Sequence, residues 1–131
     1  MSLSRAMPTL QVRDVLEARE YFATLGFKPG GLWDEDNPVF GIVQRGHVTL
    51  GLGRSDSPPD LGHWSTAYIY CDNANALYDE FEAAGAKMDG PPEDRVYGCR
   101  DFEVFTPFGH RLVFGQDIVS GYAPGLSEAH V

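Results

Sequence analysis

The chain is poor in cysteine, in basic side chains and in long apolar runs. Its two cysteines, Cys71 and Cys99, stand in no CxxC or zinc-type spacing, which argues against a disulfide scaffold and a structural zinc site. No apolar run approaches the ~18 residues of a membrane span, and no charged-then-apolar leader opens the chain, so the expectation is a soluble, cytoplasmic protein without a membrane partner. Ten Lys and Arg against nineteen Asp and Glu leave a net charge of −9. A nucleic-acid backbone would be repelled by it, whereas a cationic ligand is permitted. Catalytic signatures are missing too: there is no Gly-x-Ser-x-Gly, no HExxH and no phosphate-cradling glycine loop. Gly51, Gly53 and Arg54 end an expected strand without opening a helix. Cys99 beside Arg100 could have a lowered thiol pKa, but no orienting base adjoins it. The four histidines, His47, His63, His110 and His130, make no ligand cluster, and the two at expected hairpin turns, His47 and His110, read as exposed.

What the chain has in place of these is a repeat. At an offset of 59 residues, LQVRDVLEAREYFATLGFK from Leu10 lies over IYCDNANALYDEFEAAGAK from Ile69. Phe22 meets Phe81, Gly26 meets Gly85 and Lys28 meets Lys87, while Leu10/Ile69, Val12/Cys71, Val15/Ala74 and Ala18/Leu77 keep the apolar register. With 131 residues and 43% hydrophobic content, one sizeable core is expected. The reading is a single domain over 5–117 made of two modules, about 5–53 and 64–117, with a site between them. Residues 1–4 are set aside as a candidate expression remnant and 118–131 as an irregular tail.

Both modules give the same order of elements. Met7 to Val12 reads as a strand, Asp14 as the N-cap of a helix over Val15 to Leu25, and Gly26 as its closing glycine. Phe27 and Lys28 begin a second strand that Pro29-Gly30-Gly31 breaks, and Val39–Gln44 and His47–Leu52 make a hairpin. After a linker from Arg54 to Gly62 containing Pro58 and Pro59, Thr66–Cys71 is a strand, Asp72 or Asn73 caps a helix to Ala84, and Gly85 closes it. Ala86–Met88 is short and extended, Gly90-Pro91-Pro92 opens a long loop, and Asp101–Phe105 with Arg111–Gly115 form the last hairpin. The fold class is therefore α+β, two βαβββ modules with mixed sheets and one helix on one face of each. The other faces lack a cover and are aromatic: Tyr68 and Tyr70 alternate on one side of their strand, and Phe40, Tyr97, Phe102 and Phe105 lie on or near the rest. Curved toward each other, two such faces would enclose a cleft lined by rings.

MPTLQVRDVLEAREYF at the start, GHVTLGL in the middle and VYGCRDFEVFTPFGHRLVFG near the end resemble the bleomycin-resistance proteins of the vicinal oxygen chelate (glyoxalase/dioxygenase) superfamily. The resemblance spans about Arg5 to Gln116. Its most specific part is aromatic-Gly-x-Arg-Asp/Glu-Phe followed by Pro-x-Gly-His/Asn, although Thr106 stands where the family's turn usually has Asp. It implies a paired βαβββ fold with curved sheets and outer helices, a homodimer, and either a divalent metal held by one His, Gln or Glu from each of four strands or a metal-free binder. The four ligand positions fall on Met7, Thr66, Val113 and Leu50 or Gly51, none of them a hard-metal ligand. No metal and no cofactor are therefore expected, and the chain leans away from an enzyme.

The resemblance and strand parity nominate Trp33, Phe40, Tyr68, Tyr97, Arg100 and Phe102 as ligand-binding residues, with Trp33 in the loop before Phe40 and Tyr97 where the family commonly has tryptophan. The implied function is sequestration of a flat cationic ligand such as a bleomycin-like glycopeptide antibiotic, whose bithiazole would stack on rings and whose charged tail would meet an acidic rim. Arg100 could instead pair with Asp101 or Glu103. Two alternatives stay open: binding of an unrelated small metabolite, and a metal-dependent lyase, isomerase or dioxygenase. The latter would follow if a one-residue slip brought Gln11, Glu103 or His110 into play.

Overall fold

The computed structural model describes residues 1–57 and 65–119. Pro58, Pro59, His63, Trp64, His130 and the tail from Ser120 lie outside the described residues. Among those described, no helix is long and apolar enough to cross a membrane.

The first sheet contains β1 (Thr9–Val12), β2 (Lys28–Trp33), β3 (Phe40–Arg45) and β4 (Val48–Arg54), in the order β1-β4-β3-β2, with α1 (Val15–Thr24) between β1 and β2. β1 runs parallel to β4, and the other neighbours are antiparallel. Asp14 is extended and its carboxylate accepts from the Glu17 amide at 3.1 Å, so the helix begins where the sequence predicts. Val15, Ala18 and Phe22 form its buried stripe against Leu10, Val43, Leu50 and Leu52. Full burial of side chains such as Phe22 and Leu50 contributes about 1.5–3 kcal/mol each. Gly26, at φ +81°, turns the chain out of the helix, and Arg45 Nη1 donates to the Leu25 carbonyl at 2.8 Å.

The second sheet repeats the plan with β5 (Ala67–Tyr70), α2 (Ala74–Ala83), β6 (Glu93–Asp94), β7 (Cys99–Phe105) and β8 (Arg111–Asp117), in the order β5-β8-β7-β6. β5 is parallel to β8. Asn73, of the two candidates, is the cap, accepting from the Ala76 amide at 3.0 Å. Gly85 repeats the positive φ of Gly26 at the same value, +81°. Phe102 and Phe114 stack at 5.7 Å and 20°, and the Phe81 ring of α2 stands edge-on to both. The chain thus forms two compact units: β1–β4 with α1 and the turn Pro107–His110, and β5–β8 with α2.

Four expectations are corrected. β2 is not broken at Pro29-Gly30-Gly31 but runs through it, because the register shift between Pro29 and Leu32 absorbs the irregularity and an edge strand tolerates a missing amide donor. Trp33 is consequently a strand residue paired with Phe40, not a loop residue. The loop after Gly90 contains the two-residue strand β6, and His110, expected to be exposed, is 2% exposed with Nε2 at 2.9 Å from the Gln11 carbonyl.

Candidate functional site

Strand pairing decides which side chains share the face that each helix leaves uncovered. In the second unit, Tyr68 pairs with Val113, Tyr70 with Gly115, and Gly115 with Asp101. Directly paired residues point the same way, so Tyr68, Tyr70 and Asp101 share the open face, while Ile69, Phe102 and Phe114 face α2. Tyr97 joins them from the turn between β6 and β7, where Gly98 at φ +85° donates its amide to Arg95.

These residues converge on a buried carboxylate. Asp101 is only 2% exposed although it lies on the open face, because tyrosine rings cover it. Its Oδ2 accepts from the Tyr97 hydroxyl at 2.5 Å and the Tyr68 hydroxyl at 3.0 Å, and its Oδ1 accepts from Arg95 Nε at 2.7 Å. Arg95 also reaches Glu93 with Nη1 at 3.0 Å. Tyr68 lies 5.0 Å from Tyr70 and 6.5 Å from Tyr97, ring centre to ring centre. Glycine at 115 permits this: a Cβ there would fall 2.6 Å from Tyr68 Cζ, inside the ring's contact distance.

The electrostatics follow from the cover. Burial, and next the hydrogen bond to Asp101, push the Tyr97 hydroxyl up to about 12. Burial also raises Tyr68, followed by its hydrogen bonds to Cys99 and Asp101. Both phenols therefore stay protonated near neutral pH, as donors to a carboxylate must. Burial raises the Cys99 thiol as well. The lowered thiol pKa expected from Arg100 is thereby overturned, because that guanidinium is turned to Asp94.

The first unit carries a smaller aromatic group on its own open face. Trp33 and Phe40 lie 5.6 Å apart at 60°, with Trp33 half exposed. Phe40 lies over Gly51, where a Cβ would sit 2.8 Å from Phe40 Cζ. Trp33 folds across Gly31 in the same manner, 2.8 Å from the Cβ that position lacks.

Of the residues nominated from the sequence, the structure brings together Tyr68 with Tyr97, and Trp33 with Phe40. Arg100 and Phe102 do not join them. Both occupy even positions of β7, on the α2 side: Phe102 is 1% exposed in the core, and Arg100 Nε pairs with Asp94 at 2.7 Å instead of with Asp101 or Glu103. Asp101, Arg95 and Tyr70 are the residues that sequence reasoning left off the site. The alternation of Tyr68 and Tyr70 already pointed to the last. The signal for Asp101 was its parity opposite Phe102.

The donor set does not suit the divalent metal of the superfamily's enzymes. Met7, Gly51 and Val113 offer no hard donor, Leu50 is in the core, and Thr66 Oγ1 accepts from the Arg111 amide at 3.4 Å. Among the described residues no three His, Cys, Asp or Glu side chains gather as a metal site. Glu103 and His110 take part in no such group.

Known structures share this architecture. The bleomycin-binding protein from Streptomyces verticillus, complexed with copper(II)-bleomycin, is 26% identical over 87% of this chain and 96% of that one, with a TM-score of 0.70. A bleomycin resistance determinant encoded on transposon Tn5 is 20% identical over 89% and 100%, TM-score 0.75. A glyoxalase-related enzyme from Clostridium phytofermentans is 17% identical over 90% and 98%, TM-score 0.74. No curated protein matches the chain in sequence. The family model for glyoxalase/bleomycin resistance protein/dioxygenase matches residues 4–114. With most of its length matched and both βαβββ units in place, the chain belongs to the glyoxalase/bleomycin resistance protein/dioxygenase superfamily.

Proposed function

We propose that the protein is a small-molecule binder that sequesters a flat cationic ligand of the bleomycin type, holding it on its open aromatic faces without chemistry. The observation that carries this reading is the tyrosine group of the second unit, where Tyr68, Tyr70 and Tyr97 surround a carboxylate on the sheet face opposite α2. Ring faces attract cations and stack on planar heterocycles, at about 0.5–2 kcal/mol for each contact. Trp33 and Phe40 provide a second stacking surface. The copper(II)-bleomycin complex of the Streptomyces verticillus protein supports the same class of ligand. Half-exposed Trp33, Val39, Tyr70 and Tyr97 also favour a homodimer, since apolar surface of this kind is commonly covered.

Calorimetric titration of copper-loaded bleomycin into the protein tests the proposal, with the fluorescence of Trp33 and Trp64 followed in the same samples. Saturable binding at one drug per chain is expected, and Tyr97→Ala should weaken it by about tenfold or more. Absence of heat and of quenching at about 100 µM drug, where a binder of ~10 µM affinity is nearly saturated, would remove the drug from the reading.

A further inference from the structure

The hydrogen bonds at Asp101 have a direction, and the direction restricts what the face can bind. A phenol carries one proton. Tyr68 and Tyr97 both give theirs to Asp101 Oδ2, at 3.0 and 2.5 Å. To donate to a ligand instead, either hydroxyl would have to abandon a charge-assisted bond and leave a carboxylate that is 2% exposed short of a donor. A neutral bond to a ligand does not offset that loss. What the hydroxyls keep are oxygen lone pairs, made more basic by donation to an anion, with Tyr68 also in contact with the Cys99 thiol.

We propose that Asp101 fixes the hydrogen-bonding polarity of this face, so that the ligand class it takes is a flat molecule presenting N–H donors, cationic ones above all. The inference rests on the reading of the open face as a binding site and adds a selectivity to it.

Two further observations agree. The guanidinium at the cluster is already engaged, with Arg95 Nε on Asp101 and Nη1 on Glu93, and Arg100 lies on the other side of the sheet with Asp94. An anionic ligand at the cluster would therefore have to compete with two carboxylates for Arg95. Beside Tyr70 a cleft is lined by Cys71, Asp72, Gln116 and Asp117, which places two more carboxylates within reach of a ligand stacked on that ring. Aromatic faces, phenolic acceptors and acidic neighbours all favour the same charge.

The test uses three probes that share a phenyl ring: benzamidinium, a cation with N–H donors; phenyltrimethylammonium, a cation without them; and benzoate, an acceptor. Each is titrated into the full chain while the ring resonances of 13C-labelled tyrosines are followed. Benzamidinium should bind about tenfold more tightly than the quaternary ammonium, the worth of one charge-assisted hydrogen bond, with benzoate the weakest. Tyr97→Phe keeps the ring, removes one acceptor and takes one of two donors from Asp101 Oδ2, which Tyr68 still covers. It should erase most of the benzamidinium advantage while leaving the quaternary probe within about twofold, a split that general loss of structure would not produce. Asp101→Asn offers an amide donor to the phenols and frees a phenolic proton, so the gap between benzamidinium and benzoate should narrow; if that variant does not fold, Tyr97→Phe decides alone. Benzoate matching benzamidinium, or a preference unchanged in Tyr97→Phe, overturns the inference while the aromatic site stands. Tyrosine resonances that respond to none of the probes overturn both.

Discussion

At the scale of single residues, burial reverses what sequence context suggests. His110 follows a Pro-Phe-Gly turn and reads as a surface ring, yet it is buried, with Nε2 on the Gln11 carbonyl. Nε2 must carry the proton to make that bond, which fixes the tautomer of the neutral ring. Burial lowers its pKa from the ordinary 6.5, more strongly than the Gln11 hydrogen bond raises it. A depressed folded value means that the unfolded chain binds the proton first as pH falls. The stabilisation is therefore full above about 6.5 and is lost progressively below it. Urea unfolding at about pH 7.5 and about pH 5.5 should show a lower midpoint in acid, and His110→Gln should flatten the difference. An equal drop in that variant would assign the acid sensitivity to other groups. The same burial argument shows why Asp101 was passed over in the sequence: an aspartate in a strand reads as a solvated charge until two tyrosine rings and Arg95 are seen to cover it.

At the scale of elements, the local signals in the sequence were sufficient wherever a short-range device sets the structure. Asp14 and Asn73 cap their helices, and Gly26 and Gly85 close them, because each depends only on residues within one turn. What could not be read was set by pairing across the sheet. β2 passes through Pro29-Gly30-Gly31 because β3 supplies a partner on both sides of a bulge. Odd and even positions of β7 were assigned to faces only once Asp101 was seen opposite Gly115 and Phe102 opposite Phe114. A one-residue difference sends a side chain to the other side, which is how Phe102 and Arg100 came to be grouped with Tyr97. The parity makes a sharp prediction. Phe102→Ala should cost about 3–5 kcal/mol of stability through the cavity it leaves among Phe81 and Phe114. Arg100→Ala should leave the unfolding midpoint almost unchanged, its pair with Asp94 being exposed. Neither Arg100→Ala nor, while folded, Phe102→Ala should weaken ligand binding by more than about twofold; thermal unfolding and calorimetry on the same samples separate the two effects. A large loss of affinity in Arg100→Ala with unchanged stability would return that guanidinium to the site.

At the scale of the whole molecule, duplication is the deepest regularity, and the two copies carry different side chains on the same frame. Leu10 and Ile69, Phe22 and Phe81 fill equivalent core positions, whereas the open faces diverged: Trp33 and Phe40 over glycines in one unit, a tyrosine–carboxylate group in the other. Net charge acts on both. A chain at −9 attracts a cation over a distance that salt shortens, since the Debye length falls from about 10 Å at 0.1 M to about 3 Å at 1 M. If the ligand is cationic, raising NaCl from about 50 to 500 mM should weaken copper-bleomycin binding several-fold, mostly through a slower association rate. The part due to carboxylates close to the rings should survive better than the long-range part. Asp72→Asn, which removes one acidic group of the cleft beside Tyr70, should lower affinity at low and high salt alike, leaving the salt slope little changed. Stopped-flow measurement of both proteins across the salt series reads the association and dissociation rates separately. An affinity that does not respond to salt would mean that ring stacking alone holds the ligand and that the acidic surface takes no part in its capture.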